Sequence, residues 1–489
     1  MSKKKKTTIG DLLEEALVPK EEEPYIIPEN WIWVKTGAVN QVITGSTPSK
    51  KNDSYYGGNF PFIKPADLEQ GNQVIHASEY ITEEGKLASR PIPEESTLVC
   101  CIGSIGKSGF NIVECTTNQQ INSLVPNRNL LNPKFNYYQV LNNYYQTQLW
   151  ERSSATTVAI INKGKMSEIP ITLPPLKEQK QIAEKIENLF NKIEEAKQLI
   201  EEARETFELR RAAILDKAFR GELTKKWRKE NIFKKLESSS DGVNEVDVHN
   251  SNVDATSSIP EHNIPNSWKW TLSNNLFAFV TSGSRGWAKY YNDEGDFFIR
   301  VGNLNHNSID IDLTSQQKVS PPEGTEGSRT LVQEGDILVS ITADIGRIAV
   351  VPKQFPKAYI NQHVALARPV SGYCSEYVAW FLSSRNGGRL QFDRLQRGAT
   401  KAGLGLNDIK SIWVPIPPLD EQYEVIRKIK IVFEKFEVAE KNLANALQVC
   451  EKLKKSILAK AFRGELGTND SSEESAIELL KEVLQEQVK

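Results

Sequence analysis

The heptapeptide K-A-F-R-G-E-L occurs twice in this chain, at residues 217–223 and at residues 460–466. A repeat over such a distance means that one structural design is built twice within a single chain, and this restricts the possible folds more than any local pattern does. Two further motifs also occur twice: I-P-x-x-W-x-W begins at Ile27 and Ile264, and P-P-L-x-E-Q at Pro174 and Pro417. Between them, the dipeptide N-Q at Asn118 aligns with the one at Asn361.

The two copies differ in length at the front and agree at the back. The offset between matching residues is 237 at Ile27, rises to 240 at Ile105, and is 243 from Asn118 onward at the landmarks that can be aligned. The front part of each copy therefore contains small insertions, whereas the back part has kept its length. A fixed length predicts a rigid element in the back part.

That back part carries an apolar stripe with the spacing of a coiled coil. Apolar side chains recur every three or four residues for more than four heptads, with Glu and Lys between them. Neither helix is stable alone in water, so two stripes in one register predict two long helices that bury their seams against each other. The first stripe is Ile182, Ile186, Leu189, Ile193, Ala196, Ile200, Ala203, Phe207 and Ile214, interrupted by Arg210, and the second is Val425, Ile429, Val432, Phe436, Ala439, Leu443, Ala446, Cys450, Leu453 and Ile457.

Both helices have recognisable ends. Pro175 and Pro418 lack the amide hydrogen that a helix interior needs, so they stand just before the helix starts. Gly221 and Gly464 can adopt the left-handed conformation that closes a helix, and the basic residues beside them suit the negative end of the helix dipole. About 40 residues at a rise of 1.5 Å predict a rod of roughly 60 Å.

Length and charge set outer limits. The chain has 489 residues, too many for one core, and a formal net charge of −2. A DNA-binding domain usually has a basic footprint, so the overall charge counts against nucleic acid. The charge is unevenly distributed, however, because residues 262–412 contain 16 Lys and Arg against 13 Asp and Glu. The acidic excess lies in the helices and tails.

Cysteine usage and hydropathy indicate the compartment. Five cysteines are present without a C-x-x-C pair, which predicts a reducing, cytoplasmic location. No stretch of 18 apolar residues occurs, and no hydrophobic segment follows the M-S-K-K-K-K start. The sequence therefore predicts neither a membrane span nor a secretory signal.

A search for catalytic motifs finds two weak matches. Residues 102–108 look like a phosphate-binding loop, but Cys101 replaces the required first glycine and the second copy has Arg347 in place of the lysine. A tight turn after a strand is the better interpretation. Glu84 and Lys86 have the E-x-K spacing of nuclease sites, a match that chance explains. Without H-E-x-x-H, G-x-S-x-G or [DNS]-P-P-[YFW], the sequence predicts a non-catalytic binding protein with no metal site.

Together, the repeated motifs resemble the specificity subunit of a type I restriction-modification system. The resemblance covers nearly the whole chain, from about Tyr25 to Leu466. It implies an α+β fold in which two mixed α/β target recognition domains are separated by two long helices that pair as an antiparallel coiled coil, with an internal pseudo-twofold repeat. The expected divisions are a charged lead (1–24), target recognition domain 1 (25–175), spacer helix 1 (176–223), a flexible linker (224–263), target recognition domain 2 (264–418), spacer helix 2 (419–466) and an amphipathic tail (467–489).

The resemblance also implies a function. In this family each target recognition domain reads one half of a split DNA sequence, and the helices act as the spacer between the halves. Two methyltransferase subunits dock on the helices to methylate adenines, and restriction subunits that hydrolyse ATP join through them. The implied partners are double-stranded DNA and these subunits, with no membrane. No cofactor is expected in this chain, since S-adenosylmethionine, ATP and Mg²⁺ belong to the partner subunits.

Candidate DNA contacts follow from the chemistry of recognition. Reading a sequence needs Arg, Lys, Asn or Gln at base edges, and other cations hold phosphates. Asn118-Gln119 and Asn361-Gln362 recur although the two domains should read different bases, so we expect a shared structural or backbone-contact role for them. The candidate DNA-binding residues are Lys50, Lys51, Lys64, Lys107, Arg285, Lys289, Arg300, Asn303, Arg347, Arg397 and Lys401.

Two other classes of function stay open on the sequence alone. A structural adaptor could bind peptide or glycan through paired domains across a coiled coil, which the weak overall charge would allow. An enzyme could carry an unrecognised site in one of the variable domains. Adjacent genes for an adenine methyltransferase and an ATP-dependent translocase would favour the restriction-modification interpretation over both.

Overall fold

The computed structural model of the chain describes residues 8–154, 158–238, 260, 262–283, 285–322, 329–396, 403–467, 469–470 and 475–488. The chain forms two compact units: unit 1 is residues 1–200 with 444–489, and unit 2 is residues 201–443. Each unit combines one repeated domain with parts of both long helices. Within the described ranges, no helix is both long and apolar enough to cross a membrane.

The first domain, in unit 1, consists of short strands and helices joined by polar turns. In chain order its elements and the long helix after it are α1 (Ile9–Ala16), β1 (Ile32–Lys35), α2 (Thr36–Val39), β2 (Asn40–Thr44), β3 (Tyr56–Ile63), β4 (Glu79–Ile81), α3 (Glu83–Leu87), β5 (Pro91–Ile92), β6 (Thr97–Cys100), β7 (Ser108–Phe110), β8 (Cys115–Thr117), β9 (Ile121–Pro126), α4 (Pro133–Leu141), α5 (Asn143–Glu151), α6 (Lys163–Ser167), β10 (Pro170–Leu173) and α7 (Leu176–Phe219). The strands form sheets with the orders β2-β9-β6-β7, β4-β3-β8-β5 and β1-β10. All four residues of β6 are buried, as expected for a strand covered on both faces.

The second domain, in unit 2, repeats this plan. Its elements and those that follow it are α8 (Lys225–Ser238), β11 (Lys269–Leu272), β12 (Phe277–Ser282), β13 (Tyr291–Asn292), β14 (Asp296–Ile299), β15 (Lys318–Val319), β16 (Ile337–Ser340), β17 (Ile348–Val350), β18 (Ala358–Ile360), β19 (Val364–Pro369), α9 (Ser375–Ser383), α10 (Leu390–Leu395), α11 (Leu406–Lys410), β20 (Trp413–Ile416), α12 (Leu419–Phe462) and α13 (Ala476–Val488). The sheet orders are β12-β19-β16-β17, β13-β15-β14-β18 and β11-β20.

In unit 1 the first part of α7 packs against the last part of α12. Glu194 pairs with Lys454, and Lys197 pairs with Glu451. Because an advance along α7 corresponds to a retreat along α12, the two helices are antiparallel here. The Lys454 ammonium also lies 5.3 Å from the ring centre of Phe190.

In unit 2 the last part of α7 packs against the first part of α12 in the same way. The ring centres of Phe207 and Phe436 are 5.5 Å apart. The Arg211 guanidinium lies 5.0 Å from the ring centre of Phe433 and 3.3 Å from the Glu440 carboxylate. The Lys454–Phe190 contact in unit 1 and the Arg211–Phe433 contact in unit 2 therefore lie at repeat-related positions of the paired helices.

The seam differs from the predicted one at Leu453 of α12, which aligns with Arg210, the predicted interruption of the first stripe. Leu453 is 47% exposed, and its counterpart Arg210 is exposed as well. The position that faces the partner helix lies one residue later, at Arg211 and Lys454. Each of these side chains packs against a phenylalanine ring, and its charged group pairs with a glutamate of the partner helix. Of the other predicted seam residues, Ile182, Ile186, Ile193, Val425 and Ile429 are buried, and Leu189, Ile200, Phe207, Ile214, Val432, Phe436, Leu443 and Ile457 are half-buried.

We expect Arg211→Met and Lys454→Met each to change the free energy of unfolding by no more than about 1 kcal/mol. A methionine can fill the space of the cationic stem. The glutamate partners, Glu440 and Glu194, have side chains that are 36% and 57% exposed, so no buried charge is left unpaired. Urea unfolding followed by circular dichroism measures the change. A loss of about 3 kcal/mol would show instead that a desolvated ion pair holds the seam.

The repeated ending of α12 completes the core of unit 1. The ring of Phe462 lies 5.2 Å from that of Phe135 in the first domain. Gly464 has φ of +80°, and a Cβ there would come within 2.3 Å of Pro28. Only glycine fits this approach, because it has no Cβ and tolerates positive φ.

The ending of α7 has the equivalent place in unit 2. Phe219 lies 5.2 Å from Phe381 of the second domain. Gly221 has φ of +74°, and a Cβ there would come within 2.4 Å of Pro265. In both units, the K-A-F-R-G-E-L ending of one copy therefore meets the I-P-x-x-W-x-W beginning of the other.

The glutamate of P-P-L-x-E-Q is buried in both units. In unit 1, Glu178 accepts hydrogen bonds from the Trp31 indole N–H and the Asn469 backbone N–H, both at 3.0 Å. In unit 2, Glu421 accepts a hydrogen bond of 2.9 Å from the Arg228 guanidinium. The start of each long helix is thus tied, within its unit, to the chain that follows the end of the other.

The region predicted as a flexible linker, residues 224–263, begins with a helix. Residues 225–238 form α8, on which Arg228 pairs with Glu421 and lies 5.7 Å from the ring of Trp268. These long-range contacts stabilise a segment whose polar sequence alone does not predict a helix. Residues 239–259 of the predicted linker lie outside the described residues.

Candidate nucleic-acid interface

A three-residue turn that begins with the repeated N-Q motif connects the two four-stranded sheets of each domain. Asn118 follows β8 and precedes β9, and Asn361 follows β18 and precedes β19. Asn118 Oδ1 accepts the N–H of Gln120, and Asn361 Oδ1 accepts the N–H of His363, both at 3.1 Å. Both asparagines are buried. The predicted structural role is therefore confirmed for the asparagines.

A glycine lets a second chain segment cross this turn closely. A Cβ on Gly45 would lie 2.2 Å from the carbonyl oxygen of Asn118, and one on Gly283 would lie 2.2 Å from that of Ile360. These glycines directly follow the last residues of β2 and β12. The segments that leave them contain four of the predicted DNA-binding cations: Lys50 and Lys51 in domain 1, and Arg285 and Lys289 in domain 2.

These four cations are exposed to solvent. The Lys289 ammonium lies 4.8 Å from the ring centre of Tyr290, and this contact limits where that side chain can reach. Flexible, exposed cations beside a rigid turn can follow a phosphate backbone, because their charge attracts it without requiring one exact geometry.

A second glycine-containing turn lies against the Asn-Gln turn in each domain. The Asn-Gln turn, the segment that follows the crossing glycine and this second turn are together called the edge of the domain. The backbone N–H of Cys101 donates to the Gln120 carbonyl at 2.7 Å, and that of Ile341 donates to the His363 carbonyl at 2.9 Å. In domain 1 this turn contains Gly103 and Gly106, with φ of +77° and +87°. The tight turn predicted from the sequence at residues 102–108 is therefore confirmed.

The predicted cations on this turn already have carboxylate partners. Lys107 pairs with Glu69 at 2.9 Å. The Arg347 Nε donates to Asp344 at 2.8 Å. Burial raises the pKa of Asp344, but hydrogen bonds from Arg347 and His306 outweigh it and hold that pKa below its usual value. These charges are less available to DNA than the exposed cations of the neighbouring segments, for which the structure shows no carboxylate partner among the described residues.

The other predicted DNA-binding residues lie elsewhere. Lys64 pairs with Glu79 at 2.8 Å, and Arg300 donates to the Ser315 hydroxyl at 3.4 Å. Asn303 is buried, and its amide donates to two backbone carbonyls at 2.7 and 2.8 Å, so its hydrogen-bonding capacity is used inside the domain. Residues 397 and 401, the predicted Arg397 and Lys401, lie outside the described residues.

One cation at this edge, Arg90, was not predicted from the sequence. Arg90 is exposed, and its Nη1 donates to the backbone carbonyl of Thr44 at 2.8 Å, directly before Gly45. Arg90 lies far along the chain, between α3 and β5, and it belongs to no repeated motif. Only the folding of the sheets brings it to the edge.

The described part of the chain contains no group of three or more His, Cys, Asp or Glu side chains placed to hold a metal ion. The five cysteines are buried and unpaired. Burial raises the pKa of the Cys101 thiol to about 12 and that of the Cys115 thiol to about 12. Thiols with such pKa values are poor nucleophiles at neutral pH.

Comparison with known proteins identifies the class. The sequence profile described as the type I restriction modification DNA specificity domain matches residues 28–205 and 285–448, well over half of the chain. The chain therefore belongs to this family, whose members recognise DNA and are not the catalytic subunits of their systems.

Individual relatives agree with this assignment. The chain is 26% identical over 448 residues to the type I restriction enzyme EcoBI specificity subunit of Escherichia coli, covering 90% of this chain and 87% of that protein. It is 25% identical over 467 residues to the EcoKI specificity subunit of Escherichia coli strain K12, covering 90% of each. A structure solved in work on complex assembly and conformational transition of the type I R-M system has the same fold, with a TM-score of 0.68 and 19% identity over 90% of this chain and 100% of that one.

Proposed function

We propose that the chain reads a split DNA target in which each domain recognises one half, while α7 and α12 set the gap between the halves. The observation that carries this proposal is the repeated edge, where the same Asn-Gln turn is bordered by different exposed cations in the two domains. A shared scaffold with different loops suits two readers that hold DNA alike but prefer different bases.

Exposed apolar side chains on the long helices support the docking of partner subunits. In unit 1 they include Leu199, Val449 and Leu453, and in unit 2 they include Leu209, Leu419, Tyr423, Ile431 and Val438. Apolar residues on the solvent side of a helix mark an interaction surface when several are present. We propose that two methyltransferase subunits bind these helices, that restriction subunits join through them, and that S-adenosylmethionine, ATP and Mg²⁺ are held by those partners in the cytoplasm.

The small net charge of −2 is compatible with DNA binding. Phosphate contacts depend on the few cations that face the duplex, and the charge of distant surfaces is screened beyond about 10 Å at 0.1 M salt. Lys50, Lys51, Arg90, Arg285 and Lys289 provide such local charge at the two edges.

Sequencing of methylated adenines in the host genome tests the proposal. We expect a motif of two specified halves with a fixed gap to be methylated in the parent strain, to be unmethylated when this gene is deleted, and to return when the gene is supplied again. Adenine methylation that does not change on deletion would contradict the proposal.

A further inference from the structure

We propose that the glutamine of each Asn-Gln turn, Gln119 in domain 1 and Gln362 in domain 2, is a neutral hydrogen-bond donor to a DNA phosphate. In this role the two turns fix the register of the duplex on each domain without reading bases. The inference rests on the proposed function and adds to it a residue-level division between holding and reading.

The backbone of the turn is fixed in the same way in both domains. Besides the asparagine hydrogen bond, Asn118 N–H donates to Ile63 and Asn361 N–H donates to Ile299, at 3.2 and 3.0 Å. The glycine crossing described above clamps each turn from the other side. The residue after the asparagine therefore leaves the domain from an equivalent backbone position in both copies.

In domain 1 the amide of this residue is oriented toward solvent as a donor. Gln119 is exposed, and its Oε1 accepts a hydrogen bond of 2.6 Å from the Thr47 hydroxyl. Since the oxygen is occupied by Thr47, the Nε2 group presents its N–H donors outward. A phosphate oxygen is an acceptor only, so it is the complementary group.

In domain 2 a different neighbour fixes the same amide. Gln362 is half-buried, and its Nε2 lies 3.0 Å from His363 Nε2. His363 Nδ1 in turn lies 2.5 Å from the Thr342 hydroxyl. One N–H of Gln362 is used by the imidazole, and the second has no acceptor among the residues that the structure describes.

The repetition of this glutamine favours phosphate over a base as its target. Domains that read different half-sites need different patterns of donors and acceptors at base edges, whereas the phosphate backbone is the same at every site. Exposed cations begin a few residues after the crossing glycine, with Lys50 and Lys51 in domain 1 and Arg285 in domain 2. These cations supply attraction, and the short, braced amide supplies a defined position.

The test uses Gln119→Ala, Gln362→Ala and the double variant in the assembled complex with its methyltransferase subunits. DNA affinity is measured on the cognate site and on singly substituted sites across a range of salt concentrations. We expect each single variant to bind every sequence about three- to tenfold more weakly, with the double variant near the product of the two. The methylated motif is expected to stay the same. The salt slope is also expected to stay the same, because a neutral donor releases no counterion.

Two matched variants make the readout specific. Lys51→Ala removes a charge from the same edge and is expected to lower the salt slope by about 0.9. Gln73→Ala removes an exposed glutamine next to the Val74–Asn111 bridge, at the other end of β6 from the turn, and is expected to bind like the parent. Thermal unfolding of Gln119→Ala should match that of the parent, because the side chain is exposed.

Gln119→Glu adds a variant that keeps the size of the side chain and an acceptor for Thr47. It replaces the N–H donor by a charged oxygen, so we expect a larger and sequence-independent loss of affinity at low salt. A loss confined to one base position would overturn the inference, since the glutamine would then be a base reader. Unchanged affinity of the double variant would overturn it as well. A parent complex without any sequence preference would instead contradict the proposed function.

Discussion

Phe462→Ala is expected to lower the local stability of unit 1 by about 3–5 kcal/mol, although Phe462 belongs to the helix that follows the second domain. The side chain is 1% exposed and packs on Phe135, so its removal leaves a cavity in the core of the first domain. Phe219→Ala, the repeat-related change, should have the same effect on unit 2, where Phe219 is 3% exposed and packs on Phe381.

Hydrogen exchange measured by mass spectrometry distinguishes the two effects. Phe462→Ala should increase exchange in α4 and β9 of domain 1 and leave α9 and β19 of domain 2 unchanged, and Phe219→Ala should do the opposite. Leu453→Ala, on α12 but 47% exposed, is the control for a change in the helix itself and should have little effect. Increased exchange in domain 2 for Phe462→Ala would show that each helix ending stabilises its own copy.

Much of the architecture was predictable because each sequence pattern in one copy of the repeat could be checked against the corresponding residues of the other copy. The two long helices expected from the apolar stripes are found as α7 and α12. The helix ends at the two K-A-F-R-G-E-L motifs follow from glycine chemistry. Which domain each ending packs against was not predictable, because Phe219 and Phe462 have identical local sequences and only the tertiary fold distinguishes their partners.

The failures in the seam and the linker have physical causes. Arg211 and Lys454 are cations that face the partner helix. The spacing of apolar residues does not reveal such positions, because each side chain is held there by contacts with a phenylalanine ring and with a glutamate of the other helix. The helix α8 depends on Arg228, whose partners Glu421 and Trp268 are far along the chain. In each case the stabilising contact joins residues far apart in the sequence, so local composition does not predict it.

At the candidate interface, chemistry alone selected both exposed and buried side chains. Lys51 and Arg285, two of the predicted DNA-binding residues, are exposed beside the Asn-Gln turns. Asn303 has the right chemistry for base reading but is buried and bonded to carbonyls, and a one-dimensional pattern does not show burial. Arg90 was missed for the converse reason, since its position depends on how the sheets assemble.

Deleting Glu194–Ile200 together with Gln448–Lys454 is expected to shorten the gap in the methylated motif while the chain still folds. The two segments contain both partners of the Glu194–Lys454 and Lys197–Glu451 ion pairs, so their joint removal leaves no partner unmatched. Seven residues of helix span about 10 Å, which corresponds to at most about three base pairs at 3.4 Å each. Deleting only Glu194–Ile200 should put the remaining seam out of step and abolish methylation.

Methylated-adenine sequencing in a host that expresses the variant together with its partner subunits measures the gap directly. The two half-sites should keep their base sequences, because neither deleted segment touches the repeated edges, and only the unspecified stretch between them should shrink. A folded double-deletion variant that still methylates the original motif with the original gap would mean that the long helices do not set the spacing. The fixed length of residues 176–219 and 419–462 would then have to be explained by partner docking alone.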